Sequence, residues 1–270
     1  MTATADRVTV DIQDGVADVR MVRVDKMNAL DDAMFSALIE VGERLKADKS
    51  VRAVVLSGEG RAFCAGLDMG NFGKMASGAR KGGDGLVDTP RTESGANRAQ
   101  NAAMVWRDLP VPVIAAVHGV ALGGGFQVCL GADMRYVAPD AKMAVLEIKW
   151  GLVPDMAGVA LLRGLVRDDI ARELTYTGRI FTGEEAFAMG IATRLCADPR
   201  AEALAVAREI AGKNPAAIRG DKRLMNLMAD GDQAAILLAE SVEQGALIGS
   251  PGNVEAVMAN MEKRAPVFQD

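Results

Sequence analysis

Two short, mostly apolar runs, Val51 to Leu56 and Val113 to Val117, each lead into a turn built around glycine. This twice-used pattern limits the fold more than any other feature of the chain. Runs of this length and composition read as strands buried on both faces. The first precedes Arg61-Ala62-Phe63-Cys64-Ala65-Gly66-Leu67-Asp68, and the second precedes His118-Gly119-Val120-Ala121-Leu122-Gly123-Gly124-Gly125-Phe126-Gln127. Glycine allows positive φ and a close approach of backbone to a ligand. A helix start leaves N–H groups without an intrahelical partner. Two such bends side by side would aim two amides at one carbonyl oxygen, which is an oxyanion hole. Taken alone, Gly123-Gly124-Gly125 means only tight strand-to-helix packing. It does not fit G-x-G-x-x-G, and it lacks the Lys-Ser/Thr ending of a phosphate-binding loop.

The rest of the chain extends the same alternation. Val8, Val10 and Ile12 and then Ala17, Val19 and Met21 alternate with polar neighbours around Asp14-Gly15, a hairpin signal. Asp31 or Asp32 is placed to cap a helix carrying Met34, Leu38, Val41 and Leu45 on one side. Phe126 to Asp133 and Ala157 to Val166 read as helices, Arg135 to Ala138 and Met143 to Leu146 as short strands. The order predicts an α/β chain of stacked β-β-α units rather than an eight-crossover barrel. Residues 1–200 would form this core. Within it, 70–100 holds seven of the glycines with few large apolar groups and is expected to be a flexible loop, as a lid or an insertion. From 201 to 270 the periodicity is helical, with apolar faces free to cover a core, a neighbouring subunit or both.

Composition removes several function classes. The net charge is −5, so no general basic excess exists to neutralise nucleic-acid phosphates. Cys64, Cys129 and Cys196 are odd in number and contain no CxxC pair, and His118 is the sole histidine. A disulfide framework and a histidine-rich metal site are therefore not expected, and a reducing cytoplasm fits the cysteine usage. No signal-peptide core is visible at the N-terminus, and each apolar run is interrupted before it could span a bilayer.

The two glycine bends, taken together and in order with other segments, resemble the signature of the crotonase, or enoyl-CoA hydratase/isomerase, family. Asn28-Ala29-Leu30, Asp133, the stretch Glu147 to Gly158, Thr177-Gly178, Ala186 to Gly190, and Met261-Glu262-Lys263-Arg264 with Pro266 and Phe268 all fall in the family's order. The resemblance implies a crotonase-type spiral of β-β-α units with a helical C-terminal region that makes a homotrimer or a dimer of trimers. It implies an acyl-CoA substrate, with coenzyme A entering as part of that substrate and no tightly bound cofactor. The amides of Leu67 and Gly124 would hold the thioester oxygen. Lys26, Ala62, Ala65 and Asp68 would line the coenzyme A channel, and Gln127 and Trp150 the acyl pocket. Glu147 and Asp155 would be the catalytic acids.

One position departs from the family's hydratases, which carry a second glutamate where this chain has Gln127. Hydration needs one group to activate water and another to deliver a proton, and an amide cannot exchange a proton at neutral pH. Moving a double bond needs only a proton taken from one carbon and one returned to another, which Glu147 alone or with Asp155 can do. Isomerisation is therefore expected ahead of hydration, with a 2-enoyl-CoA hydratase or a non-catalytic acyl-CoA binding protein as alternatives. Each residue also has a plainer reading. Glu147 could pair with Lys149 at the surface, Asp155 could start the following helix, and Cys64 could be a small buried filler. Trp106 and Trp150 could be packing or acyl-pocket walls, and His118 is expected to be structural.

Overall fold

A computed structural model describes residues 6–71, 86–87, 89–229 and 231–269. The chain begins with a hairpin of β1 (Val8–Gln13) and β2 (Val16–Met21), whose turn residues Asp14 and Gly15 both have positive φ, 51° and 79°. That pair is what a two-residue hairpin turn requires. Helix α1 (Asp32–Ala47) follows, with the Asp31 carboxylate accepting from the Met34 amide as its cap. Its buried face carries Met34, Phe35, Leu38, Val41 and Leu45, the spacing of one helix side. Strands β3 (Ala53–Gly58) and β4 (Val113–Val117) then extend the sheet in parallel, as do β6 (Met134–Val137) and β9 (Arg194–Leu195). The six-stranded order is β1-β2-β3-β4-β6-β9. A second sheet joins β5 (Val120–Leu122), β7 (Lys142–Ala144) and β8 (Phe181–Thr182).

Strand alternation divides the core. Val54, Leu56, Val113, Ala115 and Val117 face a large cluster that includes Leu38, Trp106 and Phe126. Val55, Ile114, Ala116 and Tyr136 face the other way, onto Ala203, Ala207 and Ala211 of a helix, α7, spanning Pro199–Ala211. Alanine on that face lets the helix sit close to the sheet. Both faces are thus covered, which is why these strands read as unbroken apolar runs.

Three expectations change here. Of the segment 70–100, residues 72–85 and 88 lie outside the described residues. Its end is not loop, because Asn97 and Gln100 form a reciprocal capping box that starts α2 (Arg98–Arg107). Trp106 on α2 is fully buried and donates to the Ala102 carbonyl, so it is core. The boundary at 200/201 falls inside α7, which belongs to the sheet rather than to an appendage. The helix expected over 157–166 is only α4 (Gly158–Leu162), followed by α5 (Asp168–Thr177) and α6 (Gly183–Ala188). The chain ends in α8 (Pro215–Met228), α9 (Gln233–Leu247) and α10 (Pro251–Glu262). No helix among the described residues is long and apolar enough to cross a membrane.

Candidate active site

The bend after β3 and the segment around β5 are stitched into a short parallel pair. The Phe63 amide donates to the His118 carbonyl at 2.9 Å, Cys64 to Val120 at 3.0 Å, and Leu122 to Cys64 at 3.1 Å. Side chains are excluded where the bends meet. A Cβ on Gly66, whose φ is +89°, would lie 2.5 Å from the Leu122 carbonyl oxygen, and one on Gly125 would lie 2.4 Å from that of Cys64. The same position on Gly66 is 3.7 Å from the Gly124 nitrogen, so the two bends face each other across a single gap. Helix α3 (Gly124–Leu130) starts from Gly123 with no side-chain cap. Among the described residues, neither the Leu67 nor the Gly124 amide donates a hydrogen bond within the protein.

Both residues border one cavity of about 180 Å³. Leu146, Trp150, Leu152 and Met156 supply its apolar wall on one side, and Phe35 of α1 with Ala99 of α2 on the other. Glu147 and Asp155 are in the same lining.

Glu147 opens a 3₁₀ turn, Glu147–Trp150, after β7, and is 9 % exposed. Its Oε1 accepts from Gln127 Nε2 at 2.6 Å, while Oε2 is buried without a hydrogen-bond partner among the described residues. Burial pushes the Glu147 carboxyl above its ordinary range, and the Asp155 charge adds to the rise. Hydrogen bonds from its own amide and from Gln127 pull the other way without cancelling it. Lys149 is not its partner, since that ammonium lies over the Trp150 ring at 5.6 Å from the centroid. Asp155 does not cap α4. The cap is Ala157, which has φ of 69° and makes no side-chain hydrogen bond.

The other expected residues divide. Ala65 and Trp150 line the cavity. Lys26 is exposed at the end of a 3₁₀ turn, Val24–Lys26. Ala62 is fully buried, and its carbonyl accepts from Asn28 Nδ2 at 2.9 Å. The Asp68 carboxylate is held by Arg23 at 2.7 Å. None of these three borders the cavity. Gln127 is corrected from an acyl-pocket wall to the layer behind it. It is 1 % exposed, and its Oε1 accepts from the Met156 and Gly158 amides at 2.9 Å each. The thiol of Cys64 is fully buried and pushed up to about 12, so it stays protonated and inert. His118 Nε2 bonds the Gly60 carbonyl at 2.9 Å and takes a structural place. Phe35 and Arg98 are cavity residues that sequence reasoning missed. The Asn97–Gln100 capping box was the visible signal for Arg98, because it places that residue at the start of a helix. No group of three or more potential metal ligands exists among the described residues.

Comparison with known proteins agrees with this geometry. The enoyl-CoA hydratase/isomerase family model matches residues 11–270. The Mycobacterium tuberculosis protein named "Probable enoyl-CoA hydratase echA6" is 34 % identical over 260 residues, covering 95 % of this chain and 96 % of its own. The human mitochondrial Delta(3,5)-Delta(2,4)-dienoyl-CoA isomerase is 32 % identical over 263 residues, covering 93 % of this chain and 78 % of its own. The crystal structure of an enoyl-CoA hydratase from Mycobacterium smegmatis superposes with a TM-score of 0.80 at 30 % identity, covering 97 % and 98 % of the two chains. A spiral α/β fold, two interlocked glycine bends and a sequence match over nearly the full length converge on one statement: this chain belongs to the enoyl-CoA hydratase/isomerase, or crotonase, family.

Proposed function

We propose that the protein moves the double bond of an unsaturated acyl-CoA thioester, with Glu147 as the proton-transfer group. The observation that carries this reading is a buried carboxylate with a raised pKa and one oxygen without a partner among the described residues, in the same cavity as the Leu67 and Gly124 amides. For a 3-enoyl-CoA the balance is simple. Glu147 takes a proton from C2, and the electron pair of that C–H bond spreads into the thioester carbonyl. The two amides stabilise the oxyanion; removing one such donor costs roughly 3–4 kcal/mol in other enzymes. As the carbonyl re-forms, the C1–C2 pair of the dienolate becomes the C2–C3 double bond and the C3–C4 pair takes up a proton at C4. Protonated Glu147 gives that proton, directly or relayed through Asp155, and is restored as the carboxylate. Coenzyme A enters as part of the substrate, along a path we assign to Lys26, the backbone at Ala62, Ala65 and Asp68. The working unit is a homotrimer or a pair of trimers.

Hydration is the less favoured reaction because Gln127 is neutral and its donor and acceptor atoms are already engaged by protein. The test mixes the protein with crotonyl-CoA, a 3-enoyl-CoA and a 3,5-dienoyl-CoA and follows conjugated-thioester absorbance. Turnover of the 3-enoyl or 3,5-dienoyl substrate is expected, with a drop of about 10²-fold or more in Glu147→Gln. Loss of absorbance from crotonyl-CoA alone would make the protein a hydratase. Binding of all three without change would make it a non-catalytic acyl-CoA binder. Full activity in Glu147→Gln would remove Glu147 from the mechanism.

A further inference from the structure

We infer that Gln127 is a positioning residue that fixes which oxygen of Glu147 reacts and ties Glu147 to the segment carrying Asp155. This rests on the reading of Glu147 as the proton-transfer group. The side-chain amide cannot be turned over. Its Oε1 accepts from two backbone N–H groups, Met156 and Gly158, and a flipped amide would set its NH₂ against both donors. The NH₂ end must therefore face Glu147, and it donates to Oε1 at 2.6 Å. Oε1 is held as an acceptor, so the exchangeable proton belongs on Oε2, which has no hydrogen-bond partner among the described residues.

The segment around Asp155 is shaped for the same contact. Ala157 sits in the left-handed region at φ 69°, ψ 5°, which turns the amides on either side of it toward one oxygen. Such a concave pair of N–H groups is a small anion-type nest, filled here by a neutral amide oxygen. Gly158 leaves the amide its room, since a Cβ there would lie 2.7 Å from Gln127 Oε1 and would push that side chain aside. One side chain on α3 thus connects Glu147 to the segment that follows Asp155 in the chain. Asp155 is the charged side chain whose field reaches Glu147, raising its pKa, while the Gln127 donor lowers it.

The experiment is a ¹³C-carboxyl titration of Glu147 in the full-length protein, its signal assigned by its loss in Glu147→Gln, beside the pH profile of kcat/KM. In Gln127→Met, Glu147 loses the donor that favours its charged form. Its titration midpoint and the acid limb of kcat/KM should both move to higher pH. The kcat should fall about tenfold or more with KM changed less than about twofold, the pattern of an interaction used in the transition state. Gly158→Ala, which presses on the same amide, should give a smaller shift in the same direction and serves if Gln127→Met does not fold. A folded variant with an unmoved midpoint and an unmoved limb, even with a lowered Tm, would reduce Gln127 to a packing role. The titration reads the Gln127 contact even if Glu147→Gln proves active, so failure here and failure of the proposed reaction are separable.

Discussion

At the scale of single residues, the site rests on how burial and neighbours act on one carboxyl group. Desolvation raises the Glu147 pKa and Asp155 raises it further. A base must be charged to accept a proton, so activity is lost as pH falls through the raised value rather than through the ordinary glutamate range. The acid limb of kcat/KM should therefore lie above 4.5, the usual glutamate value. Asp155→Asn removes a charge that disfavours ionised Glu147 and should move the limb to lower pH, opposite to Gln127→Met. A pH–rate profile of the two variants checks the signs. An unmoved limb in Asp155→Asn would mean that the two acids are not electrostatically linked. If the rate also falls in that variant, Asp155 shares in returning the proton.

Elements show where the sequence could be read and where it could not. The β1–β2 hairpin, α1 with its Asp31 cap, and β3 and β4 were legible because period-2 and helical patterns coincide with turn and cap residues there. The two glycine bends were legible as close approaches. That β5 runs inside the second bend was not, because Val120–Leu122 is three residues long and each of its partners in Lys142–Ala144 is 22 residues on. Helices α5 and α6 were missed because they are short and most of their residues are exposed, with Leu174 the one buried residue of α5. Gln127 was visible as a departure, but its role depends on amides at 156 and 158 that no local pattern connects to it. Lys222 on α8 is a similar long-range case. It is 5 % exposed and binds both oxygens of Asp133 at 2.5 Å, while Asp133 Oδ2 also accepts from the Val113 amide where β4 begins. This pair fastens α8 to the sheet. Lys222→Ala leaves Asp133 with its charge uncompensated, which should destabilise the fold by about 3 kcal/mol, the lower end for a broken buried pair, because Asp133 keeps some solvent contact. Urea unfolding measures it, and a change below about 0.5 kcal/mol, the level of an exposed pair, would deny the pair that role.

The whole molecule carries an imbalance that a single chain does not resolve. Helix α7 packs its alanine face on the sheet, whereas α9 contains no buried residue at all. Leu237, Leu238 and Val242 on α9 are 53 %, 67 % and 62 % exposed, and Met225, Met228, Val257 and Met261 on α8 and α10 are open in the same way. Scattered apolar side chains are ordinary on a surface, and exposed ones on three successive helices are what the proposed oligomer would have to cover. Lys222 anchors one side of α8 to Asp133 and so keeps that helix against the sheet. A homotrimer, alone or doubled, would cover these helices with copies of themselves by closed rotational symmetry, without leaving an open apolar edge. Sedimentation velocity of the full chain should therefore give three or six times the chain mass. Val242→Glu places a charge on α9, which supplies no residue to the lining of the Glu147 cavity, and should shift the protein toward smaller species while the circular dichroism of the folded chain persists. A wild-type protein that sediments as a monomer at micromolar concentration would leave these helices without the proposed occupant. A Val242→Glu protein that keeps the wild-type mass would move the interface elsewhere on the surface.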